Sequence, residues 1–184
     1  IRRPAGHTGL VGLKPTAGRL ERRDGLPALL MDFEVIGPVA RRVRDLCMAM
    51  PVIAPGFGAA GPVRPQRILR VHAIGGSPVD PVIDAALDLV SQRLRALGHE
   101  VASTLDLPLA DTVNREVWPV VSAAGLAWVL RAFPDSTHAS LSAPVAALAQ
   151  AGRDLAAADL VAAFDRIREA REALADLHAD WDVL

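Results

Sequence analysis

The sequence predicts an α/β fold, and one β-α-β pattern near its middle carries the prediction. Residues 67–74 form a short, mostly apolar run typical of a strand, and residues 99–105 form a second. A helical pattern separates them, from Asp80 to about Leu97. A strand, a helix and a second strand in this order predict two parallel strands joined by a right-handed crossover.

The helix of this unit has recognisable ends. Asp80 followed by Pro81 is typical of an N-cap with proline at the first helical position, and Gly98 is typical of the residue just beyond a helix. Between these ends the apolar residues recur at three- and four-residue steps and predict a stripe along one side of the helix: Val82, Ile83, Ala86, Leu87, Val90, Leu94 and Leu97.

The segments around this unit are predicted from chain breakers and periodicity. Residues 1–40 are dense in Gly and Pro and predict loops and short strands, with apolar stretches at 29–31 and 33–36; a helix follows over 39–49. Prolines predict an extended crossover over 51–66. Helices are predicted over 111–133, with kinks at Pro119 and Gly125, over 140–152 and over 156–180. The aspartates Asp176, Asp180 and Asp182 predict a fraying end of the last helix.

The composition narrows the classes of function. The net charge is −1 and the two signs are interspersed, which argues against a nucleic acid or a membrane surface as partner. Cys47 is the only cysteine, so an intrachain disulfide and a cysteine-based zinc site are excluded, and we expect a reducing, cytoplasmic setting. The five histidines share no metal-ligand spacing, and no apolar run reaches the length of a membrane span. We expect no metal and no cofactor.

Three runs that resemble known motifs have simpler interpretations. Residues 56–61 match G-x-G-x-x-G, but prolines stand where a dinucleotide site needs a strand before and a helix after, so the run predicts a crossover loop. Lys14 follows Leu13 and precedes Pro15, which breaks the pattern of a phosphate-binding loop. The run 75–77 (Gly-Gly-Ser) is followed by Pro78 and has no base near it in sequence, so it predicts a turn into the Asp80 cap.

The N-terminal motifs are specific as a set. Three runs follow one another in order: Ile1-Arg2-Arg3-Pro4-Ala5, then Gly9-Leu10-Val11-Gly12-Leu13-Lys14-Pro15-Thr16-Ala17-Gly18-Arg19-Leu20, then Gly37-Pro38-Val39-Ala40-Arg41. Together they resemble the amidase signature family of serine hydrolases. Residues 93–101 look like a later region of the same family.

This resemblance implies a fold and a chemistry. The fold is a mixed β-sheet sandwiched between helices. Residues 1–184 would be part of one such α/β/α domain, with 1–50 as the signature region, 51–66 as the crossover, and 67–184 as the β-α-β unit plus a helical wall. The chemistry is hydrolysis of a linear amide by a Ser–cis-Ser–Lys triad through an acyl-enzyme. The family's nucleophilic serine directly precedes the Ile-Arg run and its lysine lies far upstream. We therefore expect truncation at both ends, a triad outside this chain, and no activity from the chain alone.

The resemblance also supplies the candidate site residues. Ile1, Arg2 and Arg3 would line the substrate pocket beside the nucleophile, and no catalytic residue is expected within the chain. In an extended segment Arg2 and Arg3 would point to opposite sides, so at most one would face the substrate. Arg3 would be the one to grip an acidic group of the substrate. Lys14 corresponds to a family lysine outside the triad.

Alternatives to this interpretation stay open. The leading function is an amidase acting on a small-molecule amide that the sequence does not name. The second is a catalytically inactive amidase-like binding or scaffold subunit, or an amidotransferase A-type subunit with partner subunits. The third hypothesis, a nucleotide-binding α/β protein, would rest only on the glycine run that we interpret above as a loop. A homodimer is left open. The helices around Trp118, Trp128 and Phe133 are either a wall that sets acyl-group specificity or ordinary core packing.

Overall fold

The fold is that of a computed structural model, which describes residues 1–21, 30, 33–58, 61–62 and 64–184. It divides into two compact units, one made of Ile1–Pro62 and Trp128–Ser140 and the other of Val63–Ala127 and Leu141–Leu184. We describe each by itself, and the single domain expected above stays a prediction. Among the described helices, none combines the length and the apolar character needed to cross a membrane.

The first unit opens with helix α1 (Arg2–Thr8), where the sequence predicted loops and strands. The Ala5 N–H donates to the Ile1 carbonyl at 3.1 Å and closes the first turn. Pro4 lies within that turn, where a missing N–H costs no helical hydrogen bond. Gly9 ends the helix in the left-handed region (φ 64°). The prediction failed because a helix of seven residues is too short to display a hydrophobic period.

A small antiparallel ladder follows α1. Strand β1 (Val11–Gly12) pairs with β2 (Val39–Ala40), so the residues predicted to begin a helix are strand instead. The Leu13 N–H donates to the Pro38 carbonyl at 3.1 Å and extends the ladder. Residues 33–36, where the sequence indicated a strand, form none, and residues 29 and 31 of the other predicted stretch lie outside the described residues.

Helix α2 (Val43–Ile53) begins later than predicted and continues through Pro51, which the sequence assigned to the crossover. Pro51 lies in the last turns, where it removes a single helical hydrogen bond. Met50 and Ala54 pack with Leu20 in a cluster that Leu13 and Phe57 extend. This cluster holds the helix end in place, and the crossover starts only after it.

The predicted β-α-β unit is confirmed in the second unit. Strands β3 (Arg67–Val71) and β4 (Glu100–Thr104) pair in parallel, and helix α3 (Pro81–Ala96) connects them. The Val82 N–H donates to the Asp80 carboxylate at 2.8 Å. Gly98 has the left-handed backbone of a residue that follows a helix (φ 90°). Local capping signals therefore place both ends of α3 correctly.

Helix α3 turns a polar side toward the strands. Ser91 is buried, and the Asp84 carboxylate reaches Arg70 of β3, with Oδ1 and Nη2 separated by 2.6 Å. At the two ends of the predicted apolar stripe, Val82 is 78% exposed and Leu97 is 75% exposed. The stripe is thus an apolar surface of the described chain and does not form its core.

The helix predicted over 111–133 consists of three parts. They are α4 (Leu109–Thr112), a π-helical turn (Val113–Val117) and α5 (Trp118–Leu130). The Trp118 N–H donates to the Val113 carbonyl, five residues back, directly before Pro119. Proline has no N–H and crowds the carbonyl four residues before it, and the wider turn relieves that crowding. Gly125, also predicted as a kink, lies within continuous helix.

Three further helices complete the described elements. Helix α6 (Asp135–Ala139) belongs to the first unit, and α7 (Ala143–Asp154) and α8 (Ala157–Asp180) belong to the second. Helix α8 packs on the π-helical turn and the start of α5, and the cluster at this contact contains Val113, Val117, Val120, Val121, Ala163 and Ile167. An ion pair between Arg166 and Glu116 at 3.1 Å borders it.

The last residues pair with β3, where the sequence predicted a fraying helix end. The Arg67 N–H donates to the Asp182 carboxylate at 2.7 Å. Val183 bridges Ile68 in parallel, and the Leu69 N–H donates to the Val183 carbonyl at 2.9 Å. The bond from the Arg67 backbone holds the pKa of the Asp182 carboxyl below its ordinary value. This partner lies 115 positions away, beyond the reach of any local pattern.

Candidate functional site

Ile1 lies at a corner formed by α1, β1 and the residues before β2. A Cβ built on Gly12 would lie 3.1 Å from Ile1 Cγ2, and one built on Gly37 would lie 2.6 Å from Ile1 Cδ1. The second distance is too short for real atoms and the first is tight, because protein interiors are close-packed. Gly12 also adjoins the Ala5 Cβ and Gly37 the Leu13 carbonyl, so the Ile1 side chain lies in a corner too tightly packed for a Cβ at Gly37. We call Ile1, Gly12 and Gly37 the Ile1 socket.

Arg2 and Arg3 lie in the first turn of α1, so the extended geometry expected from the sequence is wrong. Successive helical residues are about 100° apart around the axis, and the two side chains diverge without being opposite. Arg3 stands two residues before the buried Ala5, which directs it to the outer side of the helix. Both arginines are exposed, and neither forms an ion pair within the described part of the chain.

Lys14 is engaged with the backbone beside this corner. Its Nζ donates to the Pro15 carbonyl at 2.7 Å. The ammonium therefore bonds to the next residue of the chain, shortly after β1.

The two glycine runs lie in different surroundings. Gly56 follows helix α2 and not a strand, and residues 59–60 of that run lie outside the described residues. The run therefore lacks the preceding strand that a dinucleotide site needs. The run 75–77 is a turn, as predicted, in which the Ser77 N–H donates to the Ile74 carbonyl at 3.3 Å. The Gly76 N–H donates to the Asp106 carboxylate at 3.1 Å.

Four histidines have structural partners. The His72 ring lies 3.2 Å from the Asp84 carboxylate, and His99 Nδ1 accepts the Gln66 N–H at 3.1 Å. The other two meet backbone oxygens: His138 that of Leu130 at 2.9 Å, and His178 that of Trp181 at 3.0 Å. Within the described ranges, no group of three or more His, Cys, Asp and Glu side chains is arranged to hold a metal ion.

The sequence did not predict a charge cluster between β3 and α3, in which a buried arginine meets partly exposed carboxylates. The Arg70 side chain is 8% exposed and pairs with Asp84 and Asp88, and His72 shares the Asp84 oxygen. The Asp88 hydrogen bond, with that of Asp84, raises the pKa of the Arg70 guanidinium further above its ordinary value. Two features of the sequence could have indicated this cluster. One is an arginine, Arg70, within a mostly apolar strand, and the other is a pair of aspartates four residues apart on the following helix. The cluster joins the strand to the helix, and it contains no nucleophile.

The three aromatic residues considered for a specificity wall are all partly exposed. Trp128 and Phe133 are 53% and 48% exposed in the first unit, and Trp118 is 43% exposed in the second. Their rings contribute apolar surface in this chain. Their part in substrate selection stays a prediction.

The chain belongs to the amidase family, whose model matches residues 1–184. It is similar to the A-type subunit of the glutamyl-tRNA(Gln) amidotransferase of Roseiflexus castenholzii, with 35% identity over 147 residues, which cover 69% of this chain and 29% of that protein. The protein of the same name from Thermus thermophilus is 34% identical over 145 residues, which cover 69% of this chain and 30% of the relative. The chain thus spans about three-tenths of the length of the curated relatives it matches.

Solved structures of the same class share the fold. A crystal structure of an amidase superposes with a TM-score of 0.73 at 25% identity, covering 95% of this chain and 39% of that one. The structure of 6-aminohexanoate cyclic dimer hydrolase complexed with substrate gives a TM-score of 0.75 at 22% identity, covering 98% of this chain and 43% of the other. The predicted α/β fold and the family resemblance are both confirmed.

Proposed function

We propose that the complete protein is an amidase that hydrolyses a linear carboxylic amide through a serine acyl-enzyme. The family match over residues 1–184, which includes the signature runs, carries this proposal. In the proposed mechanism a lysine, acting through a second serine, deprotonates a serine directly before Ile1. That serine attacks the amide carbonyl, the amine leaves with a proton, and water then releases the acid. The triad is placed outside residues 1–184, and the chain alone is expected to be inactive.

The experiment is an assay of the purified complete protein. Release of ammonia is measured from neutral amides, from glutamine and from amides that carry a carboxylate. A serine-directed fluorophosphonate is applied in parallel, and the labelled peptide is identified by mass spectrometry. We expect ammonia release and a single adduct on the serine next to Ile1. Absence of both would contradict the amidase proposal and favour the inactive binding or scaffold subunit.

The proposed substrate pocket takes its selectivity from Arg3. Of the three pocket candidates, Ile1 fills the socket described above, Arg2 diverges from Arg3, and Arg3 is exposed with no acidic partner among the described residues. A guanidinium of this kind binds a carboxylate through two parallel hydrogen bonds. The proposed substrate is therefore an amide that also carries a carboxylate, such as the half-amide of a dicarboxylic acid.

Arg3→Ile tests this choice of substrate. A hydrogen bond to a charged group contributes about 1.5–3 kcal/mol, so KM for succinamate is expected to rise about ten- to a hundredfold. KM for propionamide, a neutral amide, is expected to stay within about twofold because no charge is lost from its binding. Arg93→Ile is the matched control, because Arg93 is also an exposed arginine but lies on a different helix, α3. Equal effects of Arg3→Ile on both amides would count against the proposal.

An amidotransferase A-type subunit is the second candidate, and the names of the relatives favour it. Such a subunit is expected to hydrolyse glutamine only when partner subunits are present. Purification from the native source, followed by mass measurement in solution, separates a complex from a homodimer or a monomer. We further propose a cytoplasmic location and one α/β/α domain that includes residues 1–184.

A further inference from the structure

The Ile1 side chain is held by two segments that are distant in sequence. Its Cγ2 methyl faces Gly12 on β1, and its Cδ1 methyl faces Gly37 in the segment before β2, with Pro15 also close to Gly37. A Cβ on Gly37 would lie 2.6 Å from Ile1 Cδ1 and would also overlap the Leu13 carbonyl, whereas a Cβ on Gly12 would fit only tightly, at 3.1 Å from Ile1 Cγ2. Each branch of the β-branched side chain thus has its own contact. Together they restrict rotation about its χ1.

The backbone of Ile1 is fixed as well. Its carbonyl accepts the Ala5 N–H at 3.1 Å, and Ala5 is 4% exposed. The Leu10 N–H then donates to the Ala5 carbonyl at 2.9 Å. A Cβ on Gly12 would also lie 3.3 Å from the Ile1 carbonyl oxygen, so β1 closely approaches this peptide. The carbonyl of Ile1 is therefore held by α1, and its side chain packs beside β1 and the segment before β2.

We infer that Ile1 is a positioning residue for the nucleophile. This inference rests on the proposed function, in which the nucleophilic serine directly precedes Ile1. The serine carbonyl and the Ile1 nitrogen share one planar peptide, so fixing Ile1 restricts the backbone of the serine. Misplacement by about 1 Å is enough to cost a hundredfold in rate. The socket would keep the serine oxygen aligned with the amide carbonyl and would make no contact with the substrate.

The inference predicts that changes at Ile1 lower kcat and leave KM nearly unchanged. In the complete protein, Ile1→Val removes the Cδ1 methyl and its contact at Gly37 but keeps the branch at Gly12. Ile1→Ala removes both. We expect kcat to fall about tenfold for Ile1→Val and about a hundredfold for Ile1→Ala, in line with the cost of misplacement. KM should stay within about twofold, because the substrate contacts are unchanged.

The matched controls are Leu20→Val and Leu20→Ala, in the other buried cluster of the same unit. They remove methyl groups of similar size, and the urea midpoint of every variant is measured with its kinetics. We expect the Leu20 variants to lose stability but to keep the wild-type kcat. The rate of fluorophosphonate labelling, which reports on the serine without an amide substrate, should fall with kcat only in the Ile1 variants.

Two results would overturn the inference, and they are distinguishable. If the wild-type protein hydrolyses amides but Ile1→Val and Ile1→Ala keep the kcat of the Leu20 controls, the socket has no role in catalysis and the amidase proposal stands. If the wild-type protein neither hydrolyses amides nor reacts with the probe, both proposals fall. Ile1→Val is mild enough to fold, since it removes only one methyl group.

Discussion

Replacing Gly152 by alanine should destabilise the protein, although such a change inside a helix is normally favourable. Gly152 lies within α7 and does not have a positive φ, so helix propensity alone favours alanine by about 1 kcal/mol. A Cβ at this position would overlap the Ala123 carbonyl of α5 and lie 2.9 Å from the Ala127 Cβ. The first obstacle is backbone, which no change of rotamer can remove. The helices would have to move apart.

The magnitude follows from these two opposing terms. Overpacking costs about 1–3 kcal/mol, and an overlap with backbone belongs in the upper part of that range. Subtracting about 1 kcal/mol of propensity leaves a net loss of about 1–2 kcal/mol. Gly6→Ala is the matched control, because Gly6 lies within α1 with no atom within 4 Å of a built Cβ. It should gain about 0.5–1 kcal/mol.

Urea unfolding of the complete protein at 25 °C measures both variants. The expected result is a lower midpoint for Gly152→Ala, a higher one for Gly6→Ala, and an unchanged slope for each. If Gly152→Ala shifted the midpoint upward as Gly6→Ala does, the argument that α7 and α5 are in backbone contact at this point would be refuted.

Three further predictions concern charged groups of the second unit. Asp80→Ala should cost about 1 kcal/mol through loss of the helix cap, and Asp80→Ser should restore most of it in the same urea assay. The folded pKa of Asp182 is depressed, so its contribution is present above the ordinary carboxyl pKa and is lost as the pH falls through the folded value. The urea midpoint of Asp182→Asn should accordingly fall less than that of the wild type as the pH drops from about 4 to about 2. Arg70→Met should cost about 1 kcal/mol because half-exposed carboxylates can rehydrate. Replacing both carboxylates that pair with Arg70 by amides should cost about 3 kcal/mol, because the buried guanidinium then has no anionic partner. If thermal unfolding showed equal costs for Arg70→Met and for the double amide variant, this difference between losing the cation and losing its anions would be contradicted.

Elements with local end signals could be predicted from the sequence. Asp80, Pro81 and Gly98 set the ends of α3 because capping involves residues within a few positions of one another. Strands β3 and β4 followed from short apolar runs on either side of that helix. The long helix α8 followed from a hydrophobic period sustained over several turns.

The errors arose where distant segments decide the conformation. Val39 and Ala40 became strand because β1 offers a partner, and Asp182 is held by the Arg67 backbone at the far end of β3. Helix α1 is too short for a period, and α2 passes through Pro51 because Met50 and Ala54, on either side of its exposed last residues, pack with Leu20. Except at α1, tertiary contacts outweigh a local preference that amounts to no more than a few kcal/mol.

The candidate site likewise depends partly on motifs visible in the local sequence and partly on contacts between residues distant in sequence. The signature runs could be recognised by residue type and order, yet their sequence alone does not say why glycine stands at Gly12 and Gly37. The structure supplies a reason: a Cβ at Gly12 would crowd the side chains of Ala5 and Ile1, and a Cβ at Gly37 would overlap the Leu13 carbonyl and the Ile1 side chain. Glycine is therefore required at both by contact and not by backbone conformation, since neither is among the positive-φ glycines. A larger residue at Gly37 is accordingly expected to displace the Leu13 carbonyl, directly after β1, as well as the Ile1 side chain.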